Sequence, residues 1–491
     1  MNAQTFLNIL SIREGSLKMD YDFLLHNVED WKRSSDYQAI SKSFEYYSDQ
    51  QDILKDGHGR MELGYGGNLQ PVKSSAIDKR IMDNQYALAV DKKKNYLFGK
   101  DVRLVSENRA YQEKITEIFD KDMMALINDT ATSTILASEA YWYPYLDEQG
   151  NLRFEKWDPR QVYVFYKDQG KKQPDSFVRF YQTVYFNGKK EETVDHLDFY
   201  TPRGITQWRN GELIEELRPY VTINGAPSDY WEGRLPLIIW RLNPSKRIPF
   251  KGIKGAQDAL NELKSQIVNN ALEDERTTLL WIENYSGNAE NETFDETQTR
   301  LRKKINDRGI IFTETIDGVG GGVRTIQINF DPEKRILVAN MLKQTIVENL
   351  RSFDAKVFRD SGNPNMLNIK SAYSDMMEDA SEMEKEFQVG LDQVIYFINR
   401  HYHLDGDVDF LFDKTMMINE GEQIDNINRS AELLSLKTRL AKHPWVDDVD
   451  QELAYLEQER KEEDEKMNPY QSTFPGSQQQ KENPEKSPER K

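Results

Sequence analysis

Three adjoining stretches decide the fold: DPEKRILVANMLKQTIVENLRSF (residues 331–353), SGNPN (361–365) and SAYSDMMEDASEMEKEFQVGLDQVIYFINRHY (371–402). They read as a helix, a segment that cannot be helical, and a longer helix. Asp331-Pro332 predicts the first start, with an aspartate at the cap and a proline at N1, where its missing N–H costs nothing. Ile336, Ala339, Leu342, Ile346, Leu350 and Phe353 recur at spacings of three and four and share one face. Lys334, Lys343, Glu348 and Arg351 fall largely elsewhere. Glycine, asparagine and proline in 361–365 favour turn geometry and stop the helix. From Ser371 the period resumes through Tyr373, Met376, Ala380, Met383, Phe387, Leu391, Val394, Ile398 and Tyr402. At 1.5 Å per residue that predicts a rod of roughly 50 Å, which spans a domain or buttresses an assembly.

Upstream, a helix is expected over about 254–276, with Ala259, Leu263, Ile267, Asn270 and Leu272 near one face. Residues 279–282, 310–313 and 325–328 read as strands around a charged, helical segment at 293–307. Two helices therefore flank a small α/β module and can run side by side with the module at their far end. Gly318-Val319-Gly320-Gly321-Gly322 lacks the Gly-Lys-Ser/Thr ending of a phosphate loop and precedes a strand, so it reads as a hairpin tip. Residues 133–240 carry short aromatic and β-branched runs, with Asn187-Gly188 and Asn210-Gly211 as hairpin turns, which predicts an antiparallel, mostly β region. Its aromatic residues lack interleaved cations and are expected to pack across strands rather than stack on bases. Earlier still, Gly64-Tyr65-Gly66-Gly67 marks a loop, and a helix is expected over 77–96, with Ile81, Gln85, Leu88 and Ala89 on one face. Lys92, Lys93 and Lys94 are read as its solvated last turn. A strand at 102–105 and a helix at 111–128 follow. Asn243-Pro244 and Ile248-Pro249 form a connector. Beyond His403 come a turn at Asp405-Gly406-Asp407, a strand at 408–412, helices at 418–440 and 445–458, and a polar tail expected to be disordered past Glu459.

A length of 491 residues fits two to four domains or one extended multi-part subunit. The chain has no cysteine, which excludes disulfides and thiolate metal sites. The N-terminus does not read as a signal peptide, and no apolar run approaches the roughly 20 residues of a membrane span, so the chain reads as soluble. A net charge of -18 argues against a surface that grips nucleic acid but is compatible with DNA passing close by. His401 and His403 at a helix end read as caps rather than a metal pair, and Glu462-Glu463-Asp464-Glu465 lies in the expected mobile tail. No nucleophile–base signature stands out. No catalytic, metal or cofactor site is expected.

Several local patterns, in order, resemble the portal proteins of tailed bacteriophages, in particular those of long-tailed phages of Gram-positive hosts. They are Asp83-Asn84-Gln85-Tyr86-Ala87-Leu88-Ala89-Val90-Asp91 with Tyr96-Leu97-Phe98-Gly99-Lys100-Asp101-Val102; Trp157-Asp158-Pro159-Arg160-Gln161-Val162 with Val178-Arg179-Phe180-Tyr181; Phe250-Lys251-Gly252-Ile253-Lys254 with Gln257-Asp258-Ala259-Leu260-Asn261; and Gly362-Asn363-Pro364-Asn365 leading to Ala372-Tyr373. The resemblance covers roughly residues 40–460.

The resemblance implies an α+β portal-type subunit with an α/β wing (1–250), a two-helix stem (251–278 and 331–353) and a small α/β clip (279–330). A tunnel loop (354–370), a long wing helix (371–407), a helical crown (408–460) and a disordered tail (461–491) complete it. It also implies a ring of about twelve subunits at one capsid vertex, a conduit for DNA packaging, retention and ejection rather than an enzyme. The implied partners are the terminase large subunit, scaffold and major capsid protein, a head-completion adaptor, and double-stranded DNA passing without sequence specificity. The place is the virion, after assembly in the host cytoplasm. Lys356 and Arg359 are cations near the expected constriction, able to touch phosphates or to pair with a neighbouring subunit; Asn363, Pro364 and Asn365 are the other DNA-facing candidates. Lys264, Lys343 and Glu348 belong to the implied stem, and Arg300, Lys303 and Arg308 to the partner-contacting clip. Two rival readings are a nucleic-acid-processing enzyme of the packaging apparatus and a monomeric helical scaffold.

Overall fold

Side-chain capping organises the N-terminal third. Helices α1 (Tyr21–Arg33) and α2 (Ser35–Tyr47) abut at Ser34, whose hydroxyl accepts from the Tyr37 amide at 3.2 Å. Asn84 caps α3 (Gln85–Phe98), Asn108 caps α4 (Arg109–Ile118) and Asp120 caps α5 (Lys121–Ala137), each accepting from the amide three residues on. The single helix expected over 111–128 is thus two, because Asp120 opens a new first turn. These details come from a computed structural model that describes residues 21–55, 61–63, 69–71, 79–168, 170, 172–223, 226–228, 230–272, 278–283, 320–327, 332–353, 366–414, 420–446 and 449–467, with isolated positions between 293 and 318. The loop expected at 64–67 lies outside the described residues.

The chain forms two compact units, residues 1–355 with 372–416, and residues 356–371 with 417–491. The first is mixed helix and sheet. Strands β1 (Met61–Leu63) and β2 (Leu69–Pro71) make a small hairpin, and β3 (Arg103–Val105) precedes α4. After α5 come β4 (Glu139–Leu146), β5 (Leu152–Trp157), β6 (Val162–Tyr166), β7 (Pro174–Phe186), β8 (Glu191–Thr201), β9 (Gly204–Arg209) and β10 (Glu212–Arg218). Strands β11 (Val221–Ile223), β12 (Ala226–Ser228) and β13 (Ile238–Arg241) follow. One antiparallel sheet has the order β10-β9-β8-β7-β6 and a second the order β13-β4-β5. Asn187-Gly188 and Asn210-Gly211 turn the β7–β8 and β9–β10 hairpins as expected, with Gly188 and Gly211 at φ +89° and +84°. The aromatic residues of this region pack on one another: Phe177 and Tyr200 lie 4.4 Å apart, Tyr143 and Trp157 4.7 Å.

The connector leads to α6 (Lys254–Leu272), the strand pair β14 (Thr278–Ile282) and β15 (Val323–Gln327), and α7 (Pro332–Asn349). Helix α7 starts at Pro332 as expected. Its face is only half buried: Ala339, Ile346 and Leu350 are covered, while Ile336 is 51% exposed. The long helix α8 (Met366–Tyr402) begins five residues before the expected Ser371, within the span read as loop. Its stripe from Tyr373 to Ile398 is buried throughout, and burial stops before Tyr402. Strand β16 (Asp409–Leu411) pairs with β3.

Phe387 on α8 sits between Phe98 of α3, at 4.8 Å, and Trp240 of β13, at 5.1 Å. Trp240 in turn meets Trp142 of β4 at 4.6 Å, whose indole N–H donates to Thr130 Oγ1 of α5 at 2.6 Å. The helix can approach this indole because residue 390 is glycine; a Cβ there would stand 2.6 Å from a Trp240 ring carbon.

Two further expectations are corrected. The helix read over 77–96 starts only at Gln85; residues 79–84 form neither helix nor strand. Lys93 is not solvated but 3% exposed, paired with Asp379 of α8, while Lys92 caps the Phe353 ring at 4.9 Å. In the second unit, the helix expected over 418–440 is broken into α9 (Glu420–Arg429) and α10 (Leu436–Leu440), because Ser435 caps a fresh turn. Helix α11 (Val449–Met467) runs past Glu459, where glutamate, lysine and glutamine keep good helix propensity despite their polarity; residues 468–491 lie outside the described residues.

Gly390→Ala removes a helical glycine, a gain of up to about 1 kcal/mol, but drives a methyl into a buried indole, a loss of about 1–3 kcal/mol. The expected outcome is a lower thermal unfolding midpoint; an unchanged or raised one would mean that α8 backs away from Trp240 without cost.

Candidate functional site: a clamp on the paired helices

Helix α6 carries Gln257, Asn261, Ser265 and Asn269 at four-residue intervals, so they form one stripe with a step of about 6 Å. An extended chain advances about 6.6 Å for every two residues. The two steps nearly coincide, and residues 79–83 run along the stripe in the opposite direction. Asn269 accepts from the Lys79 amide at 2.8 Å and donates to the Lys79 carbonyl at 3.2 Å. Ser265 Oγ accepts from the Ile81 amide at 2.8 Å, and Asn261 Oδ1 from the Asp83 amide at 3.0 Å. Gln257 donates to the Asp83 carbonyl at 2.8 Å and accepts from the Tyr86 amide at 3.2 Å. Side chains of one helix thus do for this strap what a neighbouring strand does in a sheet.

The strap also joins α6 to α7. Asp83 Oδ2 pairs with Lys264 of α6 and with Lys343 of α7, the latter at 3.0 Å, and Oδ1 accepts from Gln85 at 2.5 Å. Burial alone would push the Asp83 carboxyl up, but the hydrogen bonds from Lys264, Gln85 and Lys343 hold it below the usual aspartate range. At the other end of the pair, Asn349 of α7 donates to the Gly252 carbonyl at 3.4 Å. Beside Gly252, Lys254 reaches Asp52 at 3.1 Å and Asp258 at 2.6 Å, and Tyr46 of α2 donates to Asp258 at 2.5 Å. Burial opposes the charge on Asp52, yet Lys42, Lys254 and Tyr46 hold its carboxyl far below the ordinary value.

The end of α7 is pinned as well. Phe353 stacks on Tyr373 of α8 at 4.4 Å, Tyr373 stacks on Tyr96 of α3 at 5.8 Å, and Arg351 comes within 3.8 Å of Asp379. The described residues resume at Met366, where α8 begins.

Of the stem residues singled out from sequence, Lys264 and Lys343 are brought together on Asp83. Glu348 is not part of that cluster; it accepts from Gln344 at 2.7 Å on the surface of α7. Arg300 and Lys303 are described only as isolated helical positions. Arg308, Lys356, Arg359, Asn363, Pro364 and Asn365 lie outside the described residues. His401 and His403 do not converge: His401 Nδ1 meets the Tyr230 hydroxyl at 2.7 Å, and His403 takes φ +53° just past the helix end. Burial, then the neighbouring His403, draw the His401 pKa down. Among the described residues, no group of histidine and carboxylate side chains could hold a metal ion, and no helix is long and apolar enough to cross a membrane. Sequence reasoning missed Asp83 and its stripe, although a four-residue polar period at Gln257, Asn261, Ser265 and Asn269 was the available signal.

Residues 29–466 match the family described as phage portal protein, SPP1 Gp6-like. The chain is 23% identical over 447 residues to the portal protein of Clostridium phage phiCD119, covering 86% of this chain and 93% of that one. It is 22% identical over 441 residues to the portal protein of Bacillus phage SPP1, covering 86% and 84%.

Asp83→Asn leaves two lysines without their shared carboxylate and should destabilise the first unit by about 1.5–3 kcal/mol at neutral pH. The native carboxyl is depressed, so its contribution is full above the unfolded-state pKa of about 3.9 and fades as pH falls through the lower native value. Thermal midpoints of both proteins from pH 7 downwards should therefore converge in acid; a constant gap would assign the loss to packing instead of charge.

Proposed function

The chain belongs to the SPP1 Gp6-like family of phage portal proteins, and on that premise we propose how its parts divide the work of the portal. Portals are ring-forming structural components of the capsid. In the proposed division, α6 and α7 are the stem, residues 279–330 the clip, and the segment rooted at Phe353 and Met366 the tunnel loop. Residues up to about 250 and the long helix α8 are the wing, with the crown over 408–460 and the tail over 461–491. Strand β16 pairs with β3, which favours counting it with the wing. In the assembled ring, DNA passes through the channel without sequence specificity. The terminase large subunit and later a head-completion adaptor dock on the clip, through Arg300, Lys303 and Arg308. Scaffold and major capsid protein surround the wing, in the virion after assembly in the host cytoplasm. ATP hydrolysis belongs to the motor.

The family match over residues 29–466 carries this reading. The geometry adds a physical rationale. A loop that contacts a moving duplex must shift while its roots stay put, and Phe353 is held between Tyr373 and Lys92. The clamp at Asp83 keeps α6 and α7 in register while the loop between α7 and α8 changes shape. A net charge of -18 per subunit weakens adhesion of DNA to the ring, leaving Lys356 and Arg359 as cations for transient phosphate contacts.

The native mass of purified protein, with class averages of the same sample, tests the ring: a closed ring of about a dozen subunits with a central hole is expected, whereas a stable dimer or tetramer without a channel would refute it. Deleting residues 363–365 should leave ring assembly intact and impair DNA packaging or retention. Loss of assembly by folded subunits would make the loop a subunit interface.

A further inference from the structure

Strands β7 and β8 stay paired from Phe177 opposite Tyr200 out to Phe186 opposite Glu191. Their neighbours stop sooner. Strand β6 accompanies β7 only as far as Arg179, and β9 accompanies β8 only as far as His196. The far end is therefore a two-stranded ribbon reaching past the Asn210-Gly211 turn, where the Asn210 amide donates to the Asp195 carbonyl at 2.9 Å. The ribbon is well braced: Asn187 Oδ1 accepts from the Lys189 and Lys190 amides at 3.0 Å, and Tyr185 donates to Glu192 at 2.7 Å. Yet Val184, Tyr185 and Phe186 are 60%, 49% and 68% exposed. Three consecutive large apolar residues on a braced ribbon are unusual for a surface that meets only water.

A second patch lies on the lateral edge of the same sheet. Strand β10 exposes Leu213, Ile214 and Leu217 at 52%, 60% and 46%, among Glu212, Glu215 and Glu216. Register shifts interrupt its pairing with β9, and Leu217 takes φ +51°, so its free edge is a poor template for simple strand addition. Whatever covers it does so with side chains. The first patch lies beyond the ends of the neighbouring strands and the second on the free edge of the sheet, so the two are distinct surfaces.

A ring of identical subunits related by rotation needs two unlike patches on each, every one meeting the other kind on its neighbour. We infer that the ribbon tip of one subunit seats on the β10 edge of the next copy in the ring. Val184, Tyr185 and Phe186 face Leu213, Ile214 and Leu217 there, and Lys189 faces the glutamates of β10, while Lys190 pairs with Glu192 of its own ribbon at 3.6 Å. The apolar triplets carry the contact, and Lys189 adds one complementary charge to it. This inference rests on the ring reading above and adds the surface through which neighbouring wings touch.

The chain has no cysteine, so introduced thiols report without background. The double variant Phe186→Cys with Leu213→Cys, assembled and mildly oxidised, should give a ladder of covalent multimers on a denaturing gel, while each single variant stays monomeric. Wild-type native mass is measured alongside. Without a wild-type ring, the ring reading fails and takes this inference with it; with a ring but no ladder, this interface alone is overturned. A second variant covers failure of the cysteine pair to assemble. Phe186→Asp should keep the wild-type thermal midpoint and raise the concentration for half-assembly at least tenfold. Unchanged assembly would overturn the inference.

Discussion

An extended segment laid against a helix must still find partners for its backbone N–H and C=O groups, and the structure depends on how residues 79–83 meet that demand. Sheets solve it with a second strand. Here a helix solves it, because two extended residues advance nearly as far as one helical turn plus a fraction. Gln257, Asn261, Ser265 and Asn269 sit at the matching interval, with Gln257 and Asn261 fully buried beneath the strap. A shift of the strap by one residue would turn every donor and acceptor away, so its position along α6 is strongly specified. That places Asp83 where both Lys264 and Lys343 reach it, and thereby sets α7 relative to α6.

A second constraint holds the other end. The long helix α8 packs one uninterrupted apolar stripe, and Gly390 lets Trp240 come close enough for Phe387 to bridge β13 and α3. Lys93 is buried next to Asp379 on the same helix. An ion pair at that depth adds little net stability, since desolvation offsets the attraction, but removing either partner would leave an uncompensated charge. Its value is positional: it joins α3 and α8 beside Tyr96, Tyr373 and Phe353, where α7 ends. The end of α7 is thus tied to α3 and α8 by ring stacking and charge pairing at neighbouring positions.

The exposed residues divide along similar lines. Ile336 belongs to the apolar period of α7, yet it is open to water in the single chain, as are Leu337, Val338 and Met341 around it. Periodicity marks an apolar face, but only neighbours decide whether that face is covered. The same holds for the ribbon at Val184, Tyr185 and Phe186, where strand pairing is complete and side-chain burial is not.

The amino-acid sequence by itself determined the long helix and its buried stripe from Tyr373 to Ile398, the Pro332 start of α7, and the hairpins at Asn187-Gly188 and Asn210-Gly211. All of these follow from local rules: helical period, proline and glycine dihedral preferences, and the capping of amides close in the chain. It also carried the family likeness in the order of its motifs. Tertiary structure decided the rest. The lysine run Lys92–Lys94 read as a solvated turn and the polar stripe on α6 went unread, because propensity contains no term for what lands on them. The strap reaches the stripe, and Asp379 reaches Lys93, from far away in sequence. Whether a charge is buried depends on that distant partner, and so only the folded chain shows that Asp83 and Lys93 hold the helices together.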